Sequence, residues 1–252
     1  MIEISELSKR YGQTVVVDGV SLRIPAGGIT AIIGPNGAGK STLLSMVSRL
    51  LPMSQGTVVV DGLDVSRADS KLLARRLAIL RQDNHLPLRL TVRELVAFGR
   101  FPYTGGRPTV EDARHVEQAL RYMQLEPLAG RFLDELSGGQ RQRAFVAMVL
   151  CQDTDYVLLD EPLNNLDMRH AVGMMRTLRR AADELGKTVV LVLHDINFAS
   201  CYADAIIAMR DGKVAHHGTP AELIRPQVLS ELYQIPMTVH EIDGRRICVY
   251  YG

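Results

Sequence analysis

The sequence predicts an α/β protein with an N-terminal antiparallel β subdomain and an inserted α-helical subdomain. Three observations predict this class. Apolar and polar side chains alternate over residues 2–24, which is typical of half-buried antiparallel strands. The run 189–193 is too apolar and too β-branched for a half-exposed strand, so we expect burial on both faces, as in a parallel sheet. Between residues 83 and 150 the pattern is helical and is interrupted by prolines and glycines.

The N-terminal elements follow in order from these periods. Strands are predicted around the alternating apolar positions Ile2, Ile4, Val15, Val17, Val20, Leu22 and Ile24. A turn at 25–28 precedes a short apolar strand at 29–33, and a glycine-rich loop follows at 34–40. The next helix is predicted to carry on one side Leu43, Leu44, Val47 and Leu51. Further strands are predicted at 56–60, turning at Asp61–Gly62, and at 77–80, ending at Gln82.

The α/β pattern resumes after the helical segment with a strand at 156–159. A helix is predicted from a repeating apolar face formed by Met174, Leu178, Ala181 and Leu185. Beyond the strand at 189–193, two Asp-Gly dipeptides predict hairpins, at 211–212 and 243–244. We therefore expect a single domain over residues 1–252, with an α/β nucleotide-binding core at 1–82 and 151–252 and a helical subdomain at 83–150.

The composition disfavours several classes of protein. A formal net charge of +1 gives no basic footprint, so no nucleic-acid partner is expected. The apolar runs are far shorter than the roughly 18–20 residues of a membrane helix. The first residues lack the features of a signal peptide, and Cys151, Cys201 and Cys248 are too scattered for a disulfide framework. We expect a cytoplasmic protein.

The segment 34–41 reads GPNGAGKS and matches the pattern G-x-x-x-x-G-K-[ST] between a predicted strand and a predicted helix. Its glycines let backbone N–H groups approach phosphate oxygens, and the helix presents its positive end to the same anion. Lys40 is expected to reach the β- and γ-phosphates, and Ser41 to ligate Mg²⁺. The strand and helix on either side disfavour an accidental match. The pattern predicts a P-loop NTPase fold with a RecA-like core and nucleotide contacts from Gly34, Asn36, Gly37, Gly39, Lys40, Ser41 and Thr42.

Two carboxylates, Asp160 and Glu161, follow the predicted strand 156–159. The carboxyl ends of parallel strands are where open α/β sheets bind ligands. Asp160 is therefore predicted to hold Mg²⁺ through water, and Glu161 to orient or deprotonate the attacking water. The alternative is a strand that simply ends in acids before Pro162. The phosphate loop earlier in the chain favours the catalytic interpretation.

The segment 136–140 reads LSGGQ and opens a predicted helix. A hydroxyl and two glycines at a helix N-terminus can form a second anion site, although alone they could equally be a plain helix cap. Placed between the two nucleotide motifs, the segment resembles the signature sequence of ABC ATPases. The resemblance covers residues 1 to about 224 and implies ATP and Mg²⁺ as cofactors. It also implies contacts to the γ-phosphate of a nucleotide held by a second copy, from Ser137, Gly138, Gly139 and Gln140.

Other positions match marks of that family in the same order. The resemblance implies that Tyr11 stacks on adenine, that Gln82 contacts Mg²⁺ and couples to a membrane subunit, and that His194 is a switch histidine near the γ-phosphate. The segment 165–167, Asn-Leu-Asp, resembles the loop that crosses to the opposing cassette and makes Asp167 a candidate contact. The implied catalytic residues are Glu161, His194 and Lys40. The implied metal ligands are Ser41, Gln82 and Asp160.

One phosphate loop and one signature per chain imply that two copies face head to tail and complete each other's sites. ATP would join the copies, and loss of its γ-phosphate would let them separate. This movement would drive polytopic permease subunits, engaged through the groove beside Gln82, and would act indirectly on a substrate-binding protein. The resemblance thus implies a chain attached to the inner face of the cell membrane through the permease.

Two groups of segments resemble particular importers. Residues 91–103 resemble the helical stretch of importers for iron chelates, haem and vitamin B12, and residues 152–155 resemble the ferric-siderophore branch. The segments 161–167, with Leu163 in place of the commoner threonine, and 193–202 resemble the group that serves catecholate or petrobactin-type siderophores. Ferric-siderophore import is therefore the expected function. Haem or vitamin B12 import, a non-transport ABC ATPase, and an unrelated P-loop kinase or GTPase are the alternatives.

Overall fold

The computed structural model describes residues 1–82, 88–164 and 166–251. Its strands are β1 (Ile2–Tyr11), β2 (Thr14–Ile24), β3 (Gly28–Ile33), β4 (Gln55–Val60), β5 (Leu63–Asp64), β6 (Leu77–Leu80), β7 (Tyr156–Asp160), β8 (Thr188–Val192), β9 (Ala205–Arg210), β10 (Lys213–Gly218), β11 (Thr238–Ile242) and β12 (Arg245–Val249). Its helices are α1 (Lys40–Val47), α2 (Ser70–Ala74), α3 (Val92–Phe98), α4 (Phe101–Thr104), α5 (Val110–Tyr122), α6 (Gly138–Cys151), α7 (Met168–Leu185), α8 (Ile196–Tyr202), α9 (Pro220–Leu223) and α10 (Pro226–Tyr233). The expected start of the helical subdomain at residue 83 and the expected role of Asn165 lie outside the described residues.

The chain packs as two compact units. The first unit comprises Met1–Ala68 and Thr188–Gly252, and the second comprises Asp69–Lys187. The second unit contains the helices of the expected helical subdomain and also β6, β7 and α7. This grouping is wider than the segment 83–150, and the boundaries drawn from the sequence stay predictions.

The N-terminal strands of the first unit form an antiparallel sheet in the order β2-β1-β4-β5. Ile2 of β1 is opposite Ile24 on one side and Val60 on the other. All three side chains are buried, because alternate residues of a strand point to the same face of the sheet. The antiparallel pairing expected from the alternating pattern is confirmed.

The parallel strands of the first unit follow the order β9-β3-β8, and β10 pairs antiparallel with β9. Ile32 of β3 is opposite Val192 of β8 and Ile207 of β9. β8 is buried along its whole length, as its continuous apolar run predicts. The carboxyl ends of parallel strands lie at one edge of their sheet. The loops that follow β3, β8 and β9 therefore all start at this edge of the first unit.

The C-terminal hairpin, formed by β11 and β12, is anchored to α8 within the first unit. The Asn197 side chain donates to the carbonyl of Cys248 (3.2 Å) and accepts from the Cys248 N–H (2.8 Å). The hydroxyl of Ser200, one helical turn further on, donates to the carbonyl of Arg246 (2.6 Å). Asp195 caps the start of α8 by accepting from Asn197 N–H, so the hairpin is fixed to the helix that directly follows His194.

The second unit combines the parallel pair β6 and β7 with the longer helices. α3 and α5 both begin with a capping box, from Thr91 with Glu94 and from Thr109 with Asp112. Arg100 and Asp112 form a buried ion pair at 2.9 Å, with only 6% and 5% of their surfaces exposed. The Arg100 guanidinium also donates to the carbonyl of Cys151 (3.1 Å), so one cation joins α5 to the end of α6.

The ends of two helices differ from the sequence-based expectation. α1 ends at Val47, and the N–H groups of Leu50 and Leu51 both donate to the carbonyl of Ser45. Leu51 therefore lies beyond the helix, because Pro52 favours an extended conformation in the residue before it. Leu185 is the last residue of α7 and is 47% exposed rather than part of the apolar face.

In the described part of the chain, no helix combines the length and the apolar character that a membrane span requires.

Candidate functional site

The loop between β3 and α1 begins at the parallel edge of the first unit and ends at Lys40, the first residue of α1. Lys40 is 5% exposed, and its amine donates to the carbonyls of Gly34 (2.9 Å) and Pro35 (3.0 Å). Gly39 occupies the cap position of α1, where it has no side chain to bond the N–H groups of the first turn. A buried ammonium beside a helix N-terminus fits an anion, and the loop is suited to bind phosphate.

Backbone packing explains the first and last glycines of this loop. A Cβ at Gly34 would lie 2.0 Å from the carbonyl oxygen of Met209, and one at Gly39 would lie 2.7 Å from that of Val16. Both glycines also have positive φ, of 142° and 92°. Only glycine fits such positions without moving β9 or β2. The absence of a Cβ at these two glycines therefore allows both the close packing of the first unit and the close approach of a phosphate to the backbone.

The other expected nucleotide contacts of the first unit are accessible. Asn36 and Gly37 lie at the exposed tip of the loop, and Ser41 and Thr42 are half-buried in the first turn of α1. Tyr11 ends β1 with 53% of its surface exposed. An exposed aromatic ring suits a stacking role.

His194 lies at the same edge of the first unit as the phosphate loop. It is exposed and follows β8 by two residues, just as Gly34 follows Ile32 by two residues in the neighbouring β3. The N–H of Leu193 still donates to the carbonyl of Ile32 (3.0 Å), which keeps the two strands in register up to this point. His194 and the phosphate loop therefore follow adjacent strands at the same edge. This placement of His194 is compatible with a role near a bound γ-phosphate.

Asp160 is the last residue of β7 in the second unit and Glu161 follows it directly; the two residues are 7% and 8% exposed. The Gln82 side chain donates from Nε2 to Glu161 Oε2 at 2.9 Å. Strand register accounts for this bond, because Leu80 of β6 is opposite Leu159 of β7 and both residues lie two further along. The two uncharged amides of Gln82 and Asn164 donate to the same carboxylate oxygen. They fix the direction of the Glu161 carboxylate without neutralising it, as a general base requires.

Asn164 is a residue that the sequence-based set of site residues omits. Its backbone N–H donates to the carbonyl of Glu161 (3.2 Å), and its side chain donates to the Glu161 carboxylate. Asparagine is common in turns, so its position three residues after Glu161 is the one sequence feature that could have indicated this contact. Neither the pattern of the phosphate loop nor that of the strand end includes this position.

The signature segment caps α6 in the second unit. The N–H of Gln140 donates to Ser137 Oγ (3.3 Å), and the N–H of Ser137 donates to Gln140 Oε1 (3.0 Å). A hydroxyl that accepts this bond still has its own proton to donate to a phosphate oxygen. Ser137 and Gly138 are exposed, whereas Gly139 is buried, and a Cβ there would lie 3.4 Å from Leu166 Cδ2. The structural cap and a contact to phosphate are thus compatible.

Asp167 caps α7 and contacts His170. Its carboxylate accepts from the His170 N–H (2.9 Å) and lies 2.7 Å from His170 Nδ1. The backbone hydrogen bond from His170, followed by the contact with the ring, lowers the pKa of Asp167. The carboxylate is exposed, as a contact to a second copy would require.

The two units contribute different parts of the expected chemistry. The first carries Tyr11, the loop 34–42 and His194, and the second carries Gln82, 137–140, Asp160, Glu161 and Asp167. Across the ranges that the structure describes, no cluster of three or more His, Cys, Asp or Glu side chains could hold a metal ion. Mg²⁺ does not need such a cluster, because it is commonly bound through one or two carboxylates, substrate phosphates and water.

A family model described as ABC transporter matches residues 17–164, which is more than half of the chain. The chain belongs to the ABC transporter family. The matched range includes the phosphate loop, the signature segment and the carboxylates that end β7. As an ABC ATPase cassette, the protein binds and hydrolyses ATP, so the expected fold class and enzyme class are confirmed.

Curated relatives and solved structures agree with this assignment. The chain is 53% identical over 252 residues to the petrobactin import ATP-binding protein YclP of Bacillus subtilis (strain 168), covering 100% of both chains. It is 51% identical over 250 residues to the petrobactin import ATP-binding protein FatE of Bacillus anthracis, covering 99% of this chain and 100% of the relative. A solved dimeric cassette in a post-hydrolysis state with ADP and Pi is similar at a TM-score of 0.78, with 31% identity over 87% of this chain and 99% of that one.

Proposed function

We propose that this ABC ATPase is the motor subunit of a ferric-siderophore importer, with a petrobactin-type chelate as the first candidate substrate. The observation that carries the proposal is the 53% identity, over the full length of both chains, to a protein named for petrobactin import. Two stretches agree with the proposal: residues 91–103 resemble importers for iron chelates, haem and vitamin B12, and residues 161–167 resemble the group that serves catecholate or petrobactin-type siderophores. The ATP-binding cassette does not itself have to contact the chelate.

In this proposal the two units supply complementary parts of ATP hydrolysis. Lys40 and the loop N–H groups bind the phosphates, and Glu161 accepts a proton from the attacking water. Gln82 and Asn164 position Glu161, while His194 lies near the γ-phosphate. Bound Mg²⁺ would neutralise charge on the phosphate oxygens.

The proposed Mg²⁺ ligands are Ser41, Gln82 and Asp160, whose oxygen atoms suit a hard cation. The Gln82 amide uses its nitrogen towards Glu161. Its oxygen is therefore the atom that would face a cation. Asp160 is 7% exposed, and a buried carboxylate is stabilised by a nearby cation.

The partners in this proposal are a second copy of the chain and membrane permease subunits. The exposure of Ser137, Gly138 and Asp167 supports head-to-tail association, in which each signature completes the nucleotide site of the other copy. The permease would hold the chain at the inner face of the membrane. An apolar groove of about 520 Å³ in the second unit supports a permease contact, since Phe98 and Phe101 are 47% and 59% exposed there.

The ATPase mechanism is tested with Glu161→Gln, which keeps the side-chain shape but removes the base. We expect ATP binding to be retained, hydrolysis to fall close to background, and an ATP-dependent dimer to accumulate on a sizing column. Replacing Ser137 by a bulky residue in the same variant should prevent that dimer, because the signature could not close on the nucleotide. Wild-type turnover by Glu161→Gln would remove Glu161 from the catalytic role.

The substrate is tested by uptake of radioactive ferric petrobactin in cells that carry this chain together with a petrobactin permease and its binding protein. We expect uptake with the wild-type chain and none with Glu161→Gln. Ferric hydroxamate, ferric enterobactin and haem are tested in parallel. Uptake of one of these without petrobactin would keep the motor role and overturn the proposed substrate.

A further inference from the structure

A cavity of about 540 Å³ lies within the second unit, between the end of α5, α6 and α7. We call it the arginine cavity and define it by Arg143 of α6 and by Arg169, Arg176 and Arg180 of α7, together with Tyr122 and His170. The three α7 arginines recur seven and four residues apart, which places them along one face of the helix. Nothing in the proposed ATPase mechanism uses this face.

The charges in the arginine cavity are not balanced. Among the described residues that line it, none is Asp or Glu. Arg143, Arg169 and Arg176 make no ion pair with a carboxylate in the described residues, whereas Arg179 on the adjacent face of α7 pairs with Asp183 at 2.6 Å. Arg180 pairs with Glu184 and lies over the Tyr122 ring. The guanidinium groups of Arg143, Arg169 and Arg176 thus share one concave surface, and no described carboxylate forms an ion pair with them.

Arg143 provides a second, independent observation. Its Nε–H is buried and has no hydrogen-bond partner. Burial also lowers the pKa of the Arg143 guanidinium, which reflects the cost of removing this cation from water. Buried donors in folded proteins are normally satisfied, so the Arg143 Nε–H is available to an acceptor that enters the cavity.

We propose that the arginine cavity binds a multiply charged, phosphate-bearing small molecule. Guanidinium forks match the geometry of phosphate oxygens and bind them bidentately. Three cations without a carboxylate in an ion pair favour a polyphosphate over a single carboxylate; among the described residues, the Arg143 Nη1 donates only to the carbonyl of Met123, at 3.5 Å. The volume lies within the roughly 300–1,000 Å³ of small-molecule sites. Gly173 faces the same space, and a Cβ there would meet nothing within 4 Å, so the cavity is open at this point.

The position of the cavity gives it a route to the ATPase cycle. His170 lines the cavity, and its ring nitrogen contacts the Asp167 carboxylate at 2.7 Å. The same ring packs beside Gly139 of the signature, where a Cβ would lie 3.6 Å from His170 Cγ. An anion bound beside His170 therefore acts directly on the contact between the signature helix and the cap of α7. This inference does not depend on which substrate the importer carries.

The test uses the full chain with Lys40→Ala, which weakens phosphate binding at the glycine loop and isolates any second site. Titration calorimetry with inorganic tripolyphosphate should show one saturable site in this variant. Adding Arg169→Ala and Arg176→Ala should weaken it at least tenfold. The matched control removes two arginines of α5 in place of those of α7, with Arg114→Ala and Arg121→Ala. In the wild type these two arginines form surface ion pairs with Glu111 and Glu126. This control should leave the affinity unchanged.

A second variant separates space from charge. Gly173→Leu fills the cavity without changing any charge and should also weaken tripolyphosphate binding, while thermal unfolding confirms that the variant is folded. Binding of ATP more tightly than tripolyphosphate would identify a nucleotide, and equal affinity would identify a polyphosphate. Absence of a saturable site in Lys40→Ala, or equal loss in the α5 control, would overturn the proposal. So would arginine variants that change dimerisation but bind tripolyphosphate normally, because the guanidinium groups would then pair with a second copy.

Discussion

Glu161 has a backbone φ of 52°, in the left-handed region that residues with a Cβ rarely adopt. The chain turns sharply there, directly after β7, and the turn brings Asn164 back to the Glu161 carboxylate. Strained backbone at a functional side chain persists only where the surroundings hold it in place. Here the surroundings are two amide donors and a buried strand end, so the turn determines where the carboxylate points.

The role of Asn164 can be measured directly. We expect Asn164→Ala to lower kcat for ATP hydrolysis roughly tenfold or more, because a hydrogen bond to a charged group contributes about 1.5–3 kcal/mol. KM for ATP should stay near the wild-type value, since Asn164 contacts Glu161, the proposed base, and not the phosphate loop. Steady-state phosphate release provides both constants. A variant whose defect is confined to KM would contradict this assignment.

The residues of the phosphate loop and of the signature could be predicted from sequence, because their spacing is itself the motif. The bonds of Asn164 to Glu161 could not, because they depend on a positive φ at a glutamate, which no local pattern announces. The packing of Gly139 against Leu166 and His170 likewise depends on the arrangement of α6 and α7. Contacts across elements require the fold.

Among the elements, α5 is joined to α4 and α6 by the buried pair of Arg100 and Asp112. The Thr109 hydroxyl is the largest cause that lowers the pKa of Asp112, followed by the Thr109 N–H and the Arg100 guanidinium; against the opposing effect of burial, which raises it, they bring this pKa down to about 2. The folded state therefore gains stability from the ionised carboxylate at pH values above the ordinary pKa of Asp. That gain is lost as the pH falls towards 2.

We expect Asp112→Asn to lower the free energy of unfolding by roughly 3–5 kcal/mol near pH 7, because it leaves Arg100 buried without its carboxylate. The difference from the wild type should shrink as the pH falls below about 4, where the unfolded-state carboxylate takes up its proton. Urea unfolding between pH 3 and 7 tests both statements. Glu111→Gln, at an exposed position of the same helix, is the control and should have little effect. A difference that is constant with pH would contradict the assignment.

The C-terminal hairpin depends on the two hydrogen bonds of Asn197 with Cys248. We expect Asn197→Ala to increase the hydrogen-exchange rate of β12 amides, because a two-stranded hairpin is only marginally stable without tertiary anchoring. Amides of β3 and β8 should keep their protection and serve as the internal control. Unchanged exchange in β12 would show that the bonds of Ser200 and of the Arg246 guanidinium, which donates to the carbonyls of Ala221 and Ile224, hold the hairpin without Asn197.

Strand positions and hairpins could be predicted well because alternation and Asp-Gly turns are local signals. The end of α1 was predicted too late, at Leu51, because an apolar residue at helical spacing outweighed the effect of Pro52. In the structure Arg49 adopts a φ of 59°, and the chain leaves the helix there. Leu185 was misjudged for a related reason, since periodicity alone does not show where the last turn meets solvent.

At the scale of the whole molecule, the division into two units could not be read from the sequence. Composition changes near residue 83, and the expected division followed that change. The compact unit of residues 69–187 also includes β6, β7 and α7 and is wider than the segment 83–150, whose boundaries stay a prediction. This grouping arises from three-dimensional packing, to which the order of helical and strand patterns along the chain is only a partial guide.

ATP binding should stabilise the whole chain. At a concentration one hundred times Kd, a ligand adds about 2.7 kcal/mol to the free energy of unfolding, which corresponds to a rise in Tm of roughly 5–10 °C for a domain of this size. We expect Lys40→Ala to abolish the rise, because Lys40 belongs to the phosphate loop. Replacing Ser137 by a bulky residue should preserve it, since in the proposed dimer the signature contacts the nucleotide of the other copy. Differential scanning fluorimetry measures both, and loss of the rise in the Ser137 variant would place the signature at its own chain's nucleotide.

Cys151 lies buried in the second unit and Cys248 in the first. Desolvation raises the pKa of both thiols, that of Cys151 to about 12. Since the thiolate is the species that reacts, alkylation has to wait until its surroundings open. The half-buried Cys201 should be modified first. The alkylation rates of the two buried thiols therefore report local opening in two different places. The rate at Cys248 reports how often the C-terminal hairpin detaches, and the rate at Cys151 reports how often the helices joined by Arg100 separate.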